Sequence, residues 1–177
     1  MTSEKIDRNY KDLKKIKGLY ESSFPVNERI PFRRLINTLT EDRIMSVYHE
    51  DDKLVGMSFV FILNDLVYLS YISVFEELRE QGYGSKILKK IISDFEGKRF
   101  VLDIEEVKTD SKNYEERRLR KDFYLKNGFE STGVFYHIYS VDYELLSYGG
   151  TVSREQWHEL IRKHWGPFAD SAVYRNG

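Results

Sequence analysis

The stretch Tyr71–Leu88, YISVFEELREQGYGSKIL, decides the fold. Its beginning closes a strand, because Val67, Leu69, Tyr71, Ile72 and Val74 are rich in β-branched and aromatic types. Its end opens an amphipathic helix, because Ile87, Leu88, Ile91, Ile92 and Phe95 recur at helical spacing. Between the two lies Arg79-Glu80-Gln81-Gly82-Tyr83-Gly84. A helix start leaves backbone N–H groups unpaired and carries partial positive charge. Glycine removes the Cβ atoms that would hold an anion away from those groups. The turn is therefore suited to a phosphate or pyrophosphate, gripped by amides from Arg79 to Ser85 with the Arg79 side chain adding charge.

Two other phosphate motifs compete for this reading. A dinucleotide-binding unit also runs strand, glycine loop, helix, acid, and Asp103 stands near the expected distance. Here, however, the glycines come well after the strand end at Val74, Ile87 occupies the third glycine position, and no further βαβ units follow. A Walker loop is excluded, since no Gly-Lys-Ser or Gly-Lys-Thr occurs.

About forty residues downstream stands Phe123-Tyr124-Leu125-Lys126-Asn127-Gly128-Phe129. Together the two stretches resemble the GNAT superfamily of acetyl-CoA-dependent N-acetyltransferases. The first is similar to its (Arg/Gln)-x-x-Gly-x-(Gly/Ala) loop, the second to its Phe-Tyr-x-x-x-Gly-Phe element. The resemblance covers roughly residues 6 to 148. It implies an α/β (α+β) fold with a mixed, mostly antiparallel sheet flanked by helices, whose fourth and fifth strands splay to admit cofactor.

Composition agrees with an enzyme of this class. The 177 residues suit one domain with a real core, and the net charge of −1 gives no global field for nucleic acid or membrane. There is no cysteine, which excludes disulfides, thiolate metal sites and a cysteine nucleophile, and which fits a cytoplasmic location. The start, MTSEKIDRNY, lacks the apolar segment of a signal peptide. The four histidines show no metal-ligand spacing, so no metal is expected.

Taken in order, the chain predicts a strand around Ile6, then a helix capped by Asn9 with Asp12 in its first turn. Pro31 suits the first position of a second helix. Strands follow at about Arg43–His49, Lys53–Leu63 and Leu66–Val74, then the glycine turn and its helix. A strand at Phe100–Val107, a helix at Tyr114–Asn127 and a hairpin of Phe129–Tyr139 with Val141–Tyr148 complete the order β-α-α-β-β-β-α-β-α-β-β. Gly149-Gly150 marks a break. We therefore expect a domain over residues 1–150 and a helical extension over 151–177 packed on it. Ser153 and Gln156 make a capping-box pattern for the last helix. Its apolar side, Trp157, Leu160, Ile161 and His164, also offers a homodimer contact. The tail after Pro167 reads as loosely held.

The resemblance assigns roles by position. Main-chain groups of Ile72, Ser73 and Val74 would meet the pantetheine and thioester of acetyl-CoA, with the Val74 amide on the thioester carbonyl. Residues Arg79, Glu80, Gln81, Gly82, Tyr83, Gly84 and Ser85 would hold the pyrophosphate. Tyr124 would give a proton to the departing thiolate. Phe123 beside it points about 100° away and reads as a core aromatic. Glu105 matches an acidic strand ending of some members and is a candidate base; an ordinary exposed carboxylate is the alternative. Arg117 stands where many members carry an asparagine, which replaces that contact by a cofactor-phosphate contact or by a solvated helix face. Glu28 and Tyr71 are expected near the acceptor, a small-molecule or peptide amine. A non-catalytic CoA-binding sensor of the same fold is the alternative function.

Overall fold

The computed structural model describes residues 1–26 and 29–176. Among these residues eight strands hydrogen-bond in the order β1-β2-β3-β4-β5-β7-β6-β8. The ladders β1/β2, β2/β3, β5/β7, β6/β7 and β6/β8 are antiparallel, whereas β4 and β5 run parallel. The mixed, mostly antiparallel architecture expected from the sequence is thus observed. The chain falls into two compact units, Met1–Ile62 with Leu69–Glu96, and Leu63–Tyr68 with Gly97–Gly177.

The first unit holds β1 (Thr2–Ile6), α1 (Leu13–Ser23), α2 (Phe32–Asn37), β2 (Arg43–Glu50), most of β3 (Lys53–Leu63), the end of β4 (Leu66–Val74) and α3 (Tyr83–Asp94). The apolar stripes of the first two helices build its core. Ile16, Leu19 and Tyr20 of α1 and Phe32, Leu35 and Ile36 of α2 pack with Met45, Val47, Met57, Phe59 and Tyr71 from the strands. Helix α1 starts later than the sequence suggests. The Asn9 amide donates to the Asp7 carboxylate at 2.8 Å and Tyr10 N bonds Asp7 O, so a local turn consumes the expected cap and Asp12 takes the N-cap position. Between β2 and β3, Asp51 and Asp52 both have positive φ, the backbone a two-residue hairpin requires.

The second unit holds β5 (Arg99–Glu105), α4 (Tyr114–Lys126), β6 (Glu130–Ile138), β7 (Val141–Tyr148), α5 (Arg154–Trp165) and β8 (Val173–Asn176), with the beginning of β4. Only Leu66, Val67 and Tyr68 of β4 pair with β5, whereas β5 pairs with β7 along its length. The capping box of α5 is complete: Ser153 Oγ accepts from Gln156 N, and the Gln156 side chain accepts from Ser153 N. Trp157 of α5 sets its ring against Tyr68 and Tyr136 at 5.1 and 5.8 Å. The tail departs from expectation. After a 3-10 turn over Gly166–Ser171 it forms β8, paired with β6 from His137↔Val173 to Val134↔Asn176. The free backbone groups of the β6 edge template this strand, and Arg175 secures it on Glu106 at 2.5 Å.

Candidate active site

The glycine turn lies in the first unit and has the geometry of an anion cradle. A 3-10 turn over Glu76–Leu78 leads out of β4. Arg79 Nε then donates back to Val74 O at 3.4 Å, and Gln81 Nε2 to Glu77 O at 2.9 Å. Glu80 is left-handed with φ 62° and Gly82 with φ 79°. Backbone with such reversals of handedness is the kind from which anion-binding nests are built. Helix α3 begins at Tyr83, and its first bond runs from Lys86 N to Gly82 O. Among the described residues no acceptor takes the amides of residues 80–85. A Cβ on Gly82 would meet nothing within 4 Å, so the space before the turn is open. Ile87, Leu88 and Ile91 are buried and fix α3 behind it.

The end of β4 is buried in alternation. Tyr71 and Ser73 are buried, whereas Ile72 and Val74 are half-buried. Gly56 on β3 allows this closeness, since a Cβ there would lie 2.6 Å from Ile87 Cδ1. Tyr71 is built into the wall of α1. Its ring meets Tyr20 at 5.0 Å and Phe24 at 4.8 Å, and its hydroxyl accepts from Ile30 N. Tyr20 in turn donates to Ile30 O at 2.9 Å, and burial pushes its phenol well above the ordinary tyrosine range. These bonds hold the far end of the loop between α1 and α2. Glu28, expected near the acceptor, lies outside the described residues.

In the second unit, Tyr124 is the buried member of the aromatic pair on α4, and Phe123 is only half-buried. This reverses the expected arrangement. Tyr124 stacks edge-on against Phe129 at 5.6 Å, and Phe129 meets Tyr148 at 5.6 Å, so the core of this unit draws position 124 inward. Among the described residues the Tyr124 hydroxyl makes no hydrogen bond. Burial raises its pKa to about 12, against a lowering by Arg120 and a further rise from Asp103.

A family model described as an acetyltransferase (GNAT) domain matches residues 41–131, from β2 through the turn and α4 into β6. The chain belongs to the GNAT acetyltransferase family. A search of curated protein sequences finds no match. Among solved structures, one described as an acetyltransferase from the GNAT family of Bacteroides thetaiotaomicron superposes with TM-score 0.74 at 19% identity, covering 93% of this chain and 95% of that one. An aminoglycoside 6′-N-acetyltransferase complexed with coenzyme A gives 0.65 at 16% identity, covering 83% and 96%. The ribosomal-protein-S18-alanine N-acetyltransferase of Escherichia coli gives 0.62 at 15%, covering 87% and 97%. At these identities the likeness is one of fold.

This GNAT acetyltransferase brings two of its predicted site residues onto each other. Arg117 Nη2 donates to Glu105 Oε1 at 2.6 Å, its Nε to Asn113 Oδ1 at 2.8 Å, and its Nη1 to Glu106 O at 3.0 Å. The second Glu105 oxygen accepts from Asn113 Nδ2 at 3.3 Å and lies 3.8 Å from Arg120 Nη1. Arg117 and Glu105, expected to serve cofactor and substrate, are thereby both engaged with their own chain.

Two carboxylates, Asp103 and Glu144, take part in contacts that the sequence reading did not give them. Asp103 accepts from Tyr68 OH and Tyr136 OH, both at 2.8 Å, and burial raises its pKa against those two hydrogen bonds. Glu144 of β7, 2% exposed, accepts both Lys121 Nζ, at 2.6 Å for the shorter contact, and Ser131 Oγ at 2.7 Å. Their partners lie more than ten residues away in the chain, so no local pattern announces them. The one available signal is alternation, which turns an odd carboxylate such as Asp103 to the same side as Val101. Among the described residues no group of three or more His, Cys, Asp or Glu could hold a metal ion, and no helix is long and apolar enough to cross a membrane.

Proposed function

We propose that this protein is an N-acetyltransferase that moves the acetyl group of acetyl-CoA to a primary amine of a small molecule or peptide by direct attack. The observation that carries the reading is the run of amides from residue 80 to residue 85, leading into α3, that find no acceptor among the described residues. A diphosphate satisfies such amides and the helix dipole together. Relatives of the same fold are named for N-acetylation of an aminoglycoside and of a ribosomal-protein alanine, which supports an amine acceptor.

In this reading acetyl-CoA supplies the activated acyl group. Arg79 to Ser85 anchor its pyrophosphate, and the backbone of Ile72, Ser73 and Val74 orients the thioester end. The Val74 amide hydrogen-bonds the carbonyl oxygen as it gains negative charge. Tyr124 serves the departing sulfur. With a pKa of about 12 the phenol is fully protonated near neutrality. Complete transfer to a thiolate, whose ordinary pKa is about 8.5, would be uphill by roughly 5 kcal/mol. Tyr124 therefore acts by hydrogen bonding to sulfur as charge develops. Because both Glu105 oxygens are engaged, we assign the amine's proton to solvent water.

The test has two parts. CoA and acetyl-CoA should raise Tm, while NAD and ATP should not; stabilisation by the latter pair alone overturns the reading. In an amine screen followed by CoA release, Tyr124→Phe should lower kcat about 100-fold and leave CoA affinity within twofold. Binding of CoA with no turnover of any amine would favour a sensor of the same fold.

A further inference from the structure

Helix α4, YEERRLRKDFYLK, does not dock as amphipathic helices usually do. Tyr124 is its single buried residue, while Leu119 and Leu125 are 58% and 42% exposed. An apolar stripe is what normally fixes a helix against its sheet. Here ionic contacts do that work. Arg117, on the first turn, reaches two acceptors at the end of β5, the Glu105 carboxylate and the Glu106 carbonyl, and a third, Asn113, at the helix's own N-cap. One turn further, Lys121 reaches the buried Glu144. One turn beyond that is Tyr124.

The spacing matters. Arg117 and Tyr124 are seven residues apart, two helical turns, so they lie within about 20° of one another around the axis. Whatever sets the rotation of α4 at Arg117 also sets the direction of the Tyr124 ring. The Arg117 and Glu105 side chains are 17% and 12% exposed, so water competes poorly for their contact. A planar guanidinium engaged on three of its nitrogens has little freedom left.

We propose that Arg117 and Glu105 form a clamp that positions Tyr124, in place of any contact with the cofactor. They are positioning residues, acting through α4. The proposal rests on the role given above to Tyr124, but its physical content, the aim of one phenol, is measurable without an acceptor.

The experiment uses the full chain labelled with [13Cζ]tyrosine, the Tyr124 resonance being assigned with Tyr124→Phe. Glu105→Gln is isosteric and preserves the fold; Arg117→Met removes the fork; Arg117→Lys keeps only the charge. We expect the Tyr124 resonance to move in Glu105→Gln and Arg117→Met. Its titration midpoint should fall by at least one unit from about 12 as the ring loosens toward solvent. The double variant should move no further than Arg117→Met, and Arg117→Lys should fall between. CoA affinity, measured by calorimetry, should stay within twofold. An unmoved Tyr124 resonance in both Glu105→Gln and Arg117→Met overturns the clamp. So does a tenfold loss of CoA affinity in Arg117→Met, which would make the arginine a cofactor ligand. Failure of the wild-type protein to bind CoA would overturn the proposed function instead, and the Tyr124 signal would still decide the clamp.

Discussion

Gly56 of β3 lies so near Ser73 of β4 that a Cβ at position 56 would sit 2.3 Å from the Ser73 carbonyl oxygen. The nearest obstacle is backbone and cannot swing aside. Gly56→Ala should therefore destabilise the protein by about 1–3 kcal/mol, the usual cost of overpacking. Urea denaturation would read this as a lower midpoint with an unchanged slope. An unaltered midpoint would mean that the β4 end yields to a methyl group.

The left-handed turn before α3 makes a prediction of opposite signs. At Glu80, φ 62° is a conformation glycine adopts freely, so Glu80→Gly should stabilise the fold by about 1 kcal/mol. At Gly82, φ 79°, Gly82→Ala should cost about 1–2 kcal/mol although nothing stands within 4 Å of the added methyl. Thermal unfolding of both variants checks the pair. If the amides bind a diphosphate, Gly82→Ala should also weaken CoA at least tenfold.

Asp103 predicts a pH dependence. Its folded-state pKa is raised, chiefly by burial, above the ordinary carboxylate value of about 3.9. The sign follows from linkage: its contribution to stability is fully present below that ordinary value and is lost as pH rises through the folded one. Asp103→Asn lacks this titration. Wild type should be most favoured over the variant in acid, and its advantage should shrink as pH rises. Urea midpoints measured for both proteins from pH 3.5 to pH 8 test this; parallel curves would refute it.

Glu144 predicts a rescue. Lys121→Met leaves a carboxylate that is 2% exposed without its cation, which should cost about 3–5 kcal/mol. Adding Glu144→Leu should restore most of the loss, because the unpaired charge is then gone. Chemical denaturation of the two single variants and the double one measures the coupling.

How far the sequence carried these conclusions depends on the range of the interactions involved. The elements around the glycine turn were legible because apolar periodicity is local: Ile87, Leu88 and Ile91 are buried as their spacing requires. The Ser153–Gln156 capping box was legible for the same reason. The start of α1 was not, since Asp7 and Asn9 compete for one backbone turn and composition does not say which arrangement wins. The order within Phe123-Tyr124 was misread because helical geometry gives the angle between neighbours and not which of them faces the sheet. Strand β8 was hidden because its partner, the edge of β6, lies about forty residues upstream. Arg117 was recognised as a departure from the family pattern, but its partners Glu105 and Glu106 sit on another element, and only the folded chain joins them.

The makeup of α4 bears on how the protein responds to warmth. Stripping water from charged groups grows easier on heating, whereas apolar attraction levels off. A helix held by Arg117 and Lys121 should thus keep its grip on heating better than one held by leucines, so warming is the stress its tyrosine is best placed to ride out.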